Sequence, residues 1–207
     1  GRGRGGAAAS GDGGRRRAVG RKDPFETHGS LDSHGLVEKL GAAQAEQAAL
    51  DAAAGGLADW LIEGAIGEDA PESLRPCGDG EYGRAAELAK PVAFRTLLER
   101  LKKLFGVSHL QVAKPLAMPS KVQSIAVAAG AGSSALRGVG ADVYVTGEMS
   151  HHDVLASVAD GTAVVLAGHS NTERGFLKVL AKRLIAEFGR ELQVRVAKKD
   201  RDPLAVV

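Results

Sequence analysis

The sequence predicts an α/β fold in which a mainly parallel sheet is covered by helices. Val143–Thr146 and Thr162–Ala167 are short segments with several β-branched residues that lie close to glycines, which is typical of buried strands. A serine with an acidic residue three positions later follows each segment, at Ser150 and at Ser170, and this pattern is typical of a helix start. Alternation of strands and helices favours right-handed crossovers and parallel pairing.

Polar side chains are concentrated directly after these two predicted strands. Glu148 follows the first strand and His169 follows the second. The carboxyl ends of parallel strands meet at one edge of a sheet, and open α/β sheets keep their binding sites at that edge. We therefore expect the two polar turns to lie side by side and to form the functional site.

The remaining elements follow from hydrophobic spacing. The Glu68–Lys90 segment is rich in glycine, proline and charge, and it predicts a surface loop with a brief strand near Tyr82–Ala86. The glycine-rich Gly130–Ser134 segment is either a tight connection or a turn that approaches an anion. The other predicted elements are a short helix around Leu57–Ile66, a helix over Pro91–Phe105, strands over His109–Ala113 and Lys121–Ala129, a helix over Lys178–Gly189 and a closing strand over Leu192–Val196.

Length and composition predict one domain with a tail. The chain has 207 residues, of which 44% are hydrophobic, which is enough for a single core. Gly1–Leu40 is expected to be a disordered tail, low in complexity at its start, and Gly41–Val207 to form the α/β domain. The net charge is +2 and much of the basic excess lies in Gly1–Lys22, so a nucleic-acid surface on the folded part is not implied.

The single cysteine and the absence of a long apolar run limit the cellular compartments in which we expect the protein. Cys77 cannot form an intrachain disulfide, which points to a reducing environment. No apolar run approaches the ~20 residues that a membrane-spanning helix needs. We expect a cytoplasmic protein without a membrane segment, with a mitochondrial or plastid location as the alternative because the tail is rich in arginine.

Residue chemistry alone leaves several roles open at the polar turns. His169 and Glu173 are four residues apart where a strand passes into a helix, so they either converge on a cation or serve as the end of the strand and a capping acid. Glu148 is a general base or a solvated turn residue. His151 and His152 are adjacent, so their side chains point apart on a helix and at least one is expected to be exposed.

Four sequence motifs resemble those of the NIF-three-like family, whose bacterial members are labelled GTP cyclohydrolase 1 type 2 homologs. GEMSHHDVL at Gly147–Leu155 and GHSNTERGFL at Gly168–Leu177 resemble the two closing motifs of the family. ALDAAAGGLADWL at Ala49–Leu61 and DPL at Asp202–Leu204 extend the resemblance. It covers roughly residues 45 to 207.

The resemblance implies an α/β fold, toroidal hexamers and a pair of divalent metal ions in each subunit. Zinc, iron or manganese would suit the residues involved. By position in the family's motifs, the metal ligands fall on Asp51, His169 and Glu173, and the catalytic pocket residues fall on Glu148, His151 and His152.

The resemblance implies that the family's amino-terminal portion is incomplete in this sequence. No paired-histidine motif of the form HHP precedes Asp51. Truncation, a faulty gene model or a degenerate paralogue would each account for this and leave an incomplete metal site. The expected function is metal-dependent hydrolysis of a phosphate-containing or nucleotide-like substrate. The alternative is a non-catalytic regulatory protein that binds a protein partner, since the family is also named for interaction with a transcriptional adaptor.

Overall fold

The computed structural model describes residues 49, 51–69, 71–78, 82–189, 191–199, 202 and 204. The predicted tail, Gly1–Leu40, lies outside these residues, so the predicted domain boundary stays a prediction. Among the described residues, no helix is both long enough and apolar enough to cross a membrane.

A six-stranded sheet forms the centre of the fold. The strands are β1 (Pro71–Cys77), β2 (Gly83–Ala93), β3 (Gln111–Ala113), β4 (Lys121–Ala128), β5 (Val143–Thr146) and β6 (Ala163–Leu166). The helices that follow residue 56 are α1 (Leu57–Ile66), α2 (Phe94–Phe105), α3 (Ser133–Leu136), α4 (His151–Ala159), α5 (Asn171–Arg174) and α6 (Leu177–Phe188).

The strand order is β1-β2-β4-β5-β6-β3, and the pairing is mixed. The predicted parallel arrangement is confirmed for the β4-β5-β6 part, where strands and helices alternate along the chain. β1 with β2, β2 with β4, and β3 with β6 pair antiparallel. The α/β class is therefore confirmed, but the sheet as a whole is mixed rather than mainly parallel.

The segment from residue 68 to residue 90 was the main source of this difference, because its prediction as a surface loop is wrong. It forms β1 and most of β2, and the brief strand near Tyr82 is the start of a strand of 11 residues. β1 exposes six of its seven residues, and β2 buries the small side chains of Ala85 and Ala86. Alanine and proline carry little strand signal, because strand preference depends on packing partners that a local pattern does not contain.

The structure also differs from the prediction at the start of α2 and at the predicted closing strand. The helix predicted from Pro91 begins at Phe94, because residues 91–93 complete β2. The predicted closing strand over Leu192–Val196 is wrong, since residues 191–199 belong to no strand and are mostly exposed. An alternating pattern predicts a strand only where a neighbouring strand supplies hydrogen-bond partners.

The core lies on both faces of the sheet. On one face, α1 and α2 pack large side chains against alternate residues of the central strands. This cluster includes Leu61, Ile62, Leu97, Leu101, Ile125, Val127, Val143 and Val145. On the other face, α3 covers Ala126, Ala128 and Tyr144. The sheet thereby holds the ends of β4, β5 and β6 together at one edge.

Candidate metal centre

The polar turns meet at the carboxyl edge of β4, β5 and β6, as expected for parallel neighbours. The Glu148 amide donates to the Gly130 carbonyl at 2.9 Å, and the Gly168 amide donates to the Gly147 carbonyl at 2.8 Å. These bonds continue the strand pairing beyond the last strand residues. The loops that carry Glu148 and His169 are therefore held in register by backbone hydrogen bonds.

His169 lies between two glutamates at this edge. Its Nδ1 is 2.6 Å from Oε1 of Glu148, and its Nε2 is 3.4 Å from Oε1 of Glu173. The hydrogen bond with Glu148 is the main cause that raises the pKa of His169. Burial opposes this increase, while the negative charges of Glu173, Glu148 and Asp202 add to it.

Thr172 fixes the start of α5, although the sequence pattern assigned that role to Ser170. The Ser170 side chain makes no capping hydrogen bond. The fully buried Thr172 hydroxyl instead donates to the His169 carbonyl at 2.7 Å and accepts from the Gly130 amide at 2.9 Å. By contrast, the predicted cap at Ser150 is confirmed, because its hydroxyl accepts from the Asp153 amide.

The backbone of Gly130 lies directly beside the His169–Glu173 pair. A Cβ atom built on Gly130 would lie 2.8 Å from Nε2 of His169 and 3.2 Å from Oε1 of Glu173, and the residue has a φ of 58°. Both the space and the left-handed backbone therefore favour glycine. The glycine-rich turn was the sequence signal for this residue, but its contact with His169 depends on the loop after β6.

Asp51 approaches the same pair from the amino-terminal side. Burial, and secondly the negative charge of Glu173, raise the pKa of Asp51 to about 6. Asp202, at the other end of the described chain, also contributes its charge to His169. Oδ2 of Asp202 would lie 3.4 Å from a Cβ atom on Gly168. Sequence reasoning placed Asp202 in a family motif without assigning it a role.

Comparison with protein families identifies the chain. The sequence model for Duf34/NIF3 (NGG1p interacting factor 3) matches residues 45–203, which is most of the chain. The chain belongs to the NIF3 family.

Relatives in the NIF3 family are similar over part of their length. The Protein NIF3 homolog of Schizosaccharomyces pombe is 40% identical over 171 residues, which cover 77% of this chain and 62% of that protein. NIF3-like protein 1 of Bos taurus is 45% identical over 129 residues, which cover 60% of this chain and 34% of that protein. The chain thus spans less than two thirds of these relatives.

Solved structures support the same fold. Reduced HcgD from Methanocaldococcus jannaschii has a TM-score of 0.57 and 30% sequence identity, covering 66% of this chain and 54% of that chain. The Staphylococcus aureus hypothetical protein SA1388 has a TM-score of 0.58 at 16% identity, covering 76% of this chain and 66% of that one, which shows the likeness of fold alone.

The two histidines of the GEMSHHDVL motif are not bonded to the His169 cluster in the described part of the chain. His151 and His152 begin α4, both are exposed, and their ring centroids are 6.4 Å apart. His151 also lines a groove between α4 and the edge strand β3, together with Leu155 and Val112. Within the described residues, no hydrogen bond or ion pair joins either ring to Glu148 or His169. Their predicted catalytic role stays a prediction.

The residues present fit part of a metal site. In the described part of the chain, no three histidine, cysteine or acidic side chains are gathered closely enough to hold an ion. The His169 imidazole and the Glu173 carboxylate do form a donor pair of the kind that zinc, iron and manganese accept. Gly130 leaves the space beside this pair free of side-chain atoms. The chain therefore supplies two adjacent donors, with Asp51 close to one of them.

Proposed function

We propose that this chain binds a divalent metal ion through His169 and Glu173, with Asp51 as a further ligand. We also propose that the ion serves hydrolysis of a phosphate-containing or nucleotide-like substrate. The observation that carries the proposal is the position of His169, which faces Glu148 through Nδ1 and Glu173 through Nε2. The proposed ion is zinc, iron or manganese, and a second ion of the pair would need ligands outside these three residues.

The arrangement of His169 supports the proposed role as a metal ligand. Such a histidine donates one ring N–H to a carboxylate or carbonyl group, which orients the ring and leaves the other nitrogen free for the metal. When the neutral His169 ring donates its Nδ1 proton to Glu148, the lone pair of Nε2 is directed towards Glu173 and is available to a metal ion. The main role that we propose for Glu148 is therefore to orient His169, and a role as a general base is secondary.

A bound divalent ion would polarise a phosphoryl or carbonyl oxygen and lower the pKa of a water molecule. The chain's own residues would support this chemistry at the site. Gly130 keeps the approach to the donor pair open, and the Thr172 hydroxyl fixes the loop that carries His169. His151 and His152 are exposed at the same sheet edge as Glu148, and we propose that they contact substrate or carry protons.

Metal binding by purified protein tests the proposal directly. After chelation and dialysis, titration with Zn²⁺ or Mn²⁺ should give saturable binding, and His169→Ala or Glu173→Gln should weaken it by roughly 10-fold or more. His109→Ala is the matched control, because His109 is exposed and, among the described residues, hydrogen bonds only with the neighbouring Ser108. Equal binding by the wild type and both site variants would refute the proposed ligands.

Turnover tests the chemistry separately. Phosphate esters and nucleoside triphosphates should be hydrolysed only in the presence of the metal, and a chelator should stop the reaction. Glu148→Gln should lower turnover, because the amide cannot accept the Nδ1 proton as strongly as a carboxylate does. Metal-independent hydrolysis would contradict the proposal.

Protein binding is the second candidate function. One relative, from Saccharomyces cerevisiae, is named NGG1-interacting factor 3 and is 41% identical over 173 residues. We propose that this chain also binds a protein partner and self-associates, hexameric assembly being the prediction from family resemblance. Light scattering gives the oligomeric state. A pull-down with an NGG1-type protein that succeeds equally with His169→Ala would separate partner binding from the metal site.

A further inference from the structure

Arg84 is a buried arginine at the start of β2, and the expected site does not use it. The residue is only 7% exposed. Each of its three guanidinium nitrogens donates to a different acceptor. Nε donates to Oδ1 of Asp59 at 2.5 Å, Nη1 donates to the Gly83 carbonyl at 3.0 Å, and Nη2 donates to the Ala52 carbonyl at 2.9 Å.

Asp59 extends this network to the same backbone segment. It lies in the first turn of α1, and its Oδ2 accepts the amide hydrogen of Gly55. Arg84 therefore holds the carbonyl of Ala52, while Asp59 holds the amide of Gly55. The segment between these two points begins one residue after Asp51.

We propose that Arg84 and Asp59 are positioning residues for Asp51. By fixing the backbone from Ala52 to Gly55, they place the Asp51 carboxylate beside Glu173. The consequence for metal binding rests on the function proposed above, but the effect on the backbone does not.

The geometry of the network favours positioning over simple stabilisation. A buried ion pair is a weak source of stability, because desolvation of the two charges offsets much of their attraction. Here two guanidinium nitrogens of Arg84 also donate to backbone carbonyls. One of these carbonyls belongs to Ala52, which is 32 residues from Arg84 in sequence. Lysine could not make the same three hydrogen bonds, since the donors of its ammonium group lie on one nitrogen atom and those of the guanidinium are spread over three.

The test compares Arg84→Lys and Asp59→Asn with the wild type in the full chain. Zn²⁺ affinity is measured by competition with a chromogenic chelator, and the melting temperature is measured separately. Both variants should lose roughly 10- to 100-fold in Zn²⁺ affinity, as is typical when residues that orient a ligand are changed. The matched controls, Arg95→Lys and Glu99→Gln, alter an exposed ion pair on α2 and should leave the affinity unchanged.

A double-mutant cycle shows whether Arg84 acts through Asp51. In an Asp51→Asn background, Arg84→Lys should add no further loss of Zn²⁺ affinity, because the residue that it positions no longer binds. Full additivity would overturn the inference. A lower melting temperature with unchanged affinity of the folded protein would also overturn it, because Arg84 would then have only a structural role.

Amide hydrogen exchange tests the positioning role of Arg84 without any metal. If the wild type binds no Zn²⁺, the proposed function fails, but the exchange experiment still decides whether Arg84 fixes the backbone next to Asp51. The amides of Ala53 and Gly56 donate to the carbonyls of Ala49 and Ala53. Arg84→Lys should speed exchange at both amides by roughly tenfold or more, as local opening becomes less costly. The amide of Val122 in the core should be unaffected. Unchanged exchange at Ala53 and Gly56 would refute positioning.

Discussion

The two faces of the sheet differ in the size of the side chains that cover them. α1 and α2 bury large aliphatic residues on one face, including Leu61, Leu97 and Leu101. The opposite face is covered by the four-residue α3 and by α4, which buries none of its residues, and its cluster consists mainly of alanines around Tyr144. We therefore expect stability to be concentrated on the leucine-rich face, while the candidate site lies at the sheet edge between the two faces.

The largest contrast is expected from leucine truncation on the two faces. Leu101→Ala should lower the free energy of unfolding by about 3 kcal/mol, because Leu101 is fully buried and its removal leaves a cavity. Leu155→Ala on α4 should change it by about 0.5 kcal/mol or less, because Leu155 is 53% exposed. Urea denaturation measures both. Comparable losses would mean that α4 is covered in the folded protein.

Gly130 connects the stable core to the candidate site. Gly130→Ala should destabilise the protein by about 1–2 kcal/mol through its left-handed backbone, and it should also reduce metal affinity, because the new methyl group would press on His169. Gly138→Ala is the matched control, since Gly138 has a φ of 73° but nothing within 4 Å of a built Cβ atom. Equal metal affinities in the two variants would contradict a role for Gly130 at the site.

The face with the strong hydrophobic periodicity was also the more predictable one. The spacing of Leu97 and Leu101 predicted α2, and the β-branched runs predicted β5 and β6. The sequence placed Glu148 and His169 at one edge for the same reason. β1 and all but the start of β2 were missed because their exposed and alanine-rich residues have no local pattern.

The contacts of the site depend on distant partners and were less predictable. A motif resemblance indicated Asp51, His169 and Glu173, but it gave no role to Gly130 or Thr172. Those two residues meet only because β4 and β6 are brought to one edge by β5, across 42 positions of sequence. A local sequence pattern contains no information about such a meeting.

The reactivity of Cys77 measures how readily the alanine-rich face of the sheet opens. It is 6% exposed in the alanine-rich cluster, and burial is the main cause that raises the pKa of its thiol. The protonated thiol should react with iodoacetamide roughly tenfold or more slowly in the native protein than in urea, because the thiolate is the reactive form. A native rate equal to that in urea would show that this face opens readily. The rate in Leu101→Ala tests whether the two faces open together.

The smallest effect is expected at Asp153 on α4, which belongs to the same face. Hydrogen bonds from Ser150 and Arg137 are the main causes that lower the pKa of Asp153 from its ordinary value of 3.8. A lowered pKa in the folded state means that the carboxylate stabilises the fold above the unfolded value, and that this contribution disappears as the pH falls through the folded value.

The stability difference between the wild type and Asp153→Asn should therefore be constant near neutral pH and shrink below about pH 4. Thermal melts across this range measure the difference. Asp160→Asn at the end of α4 provides a charge-matched control, because Asp160 is the C-cap residue of the same helix and lacks the bond to Ser150. A difference that grew on acidification would place the stabilising interaction in the protonated form and would contradict the stabilising role of the ionised carboxylate.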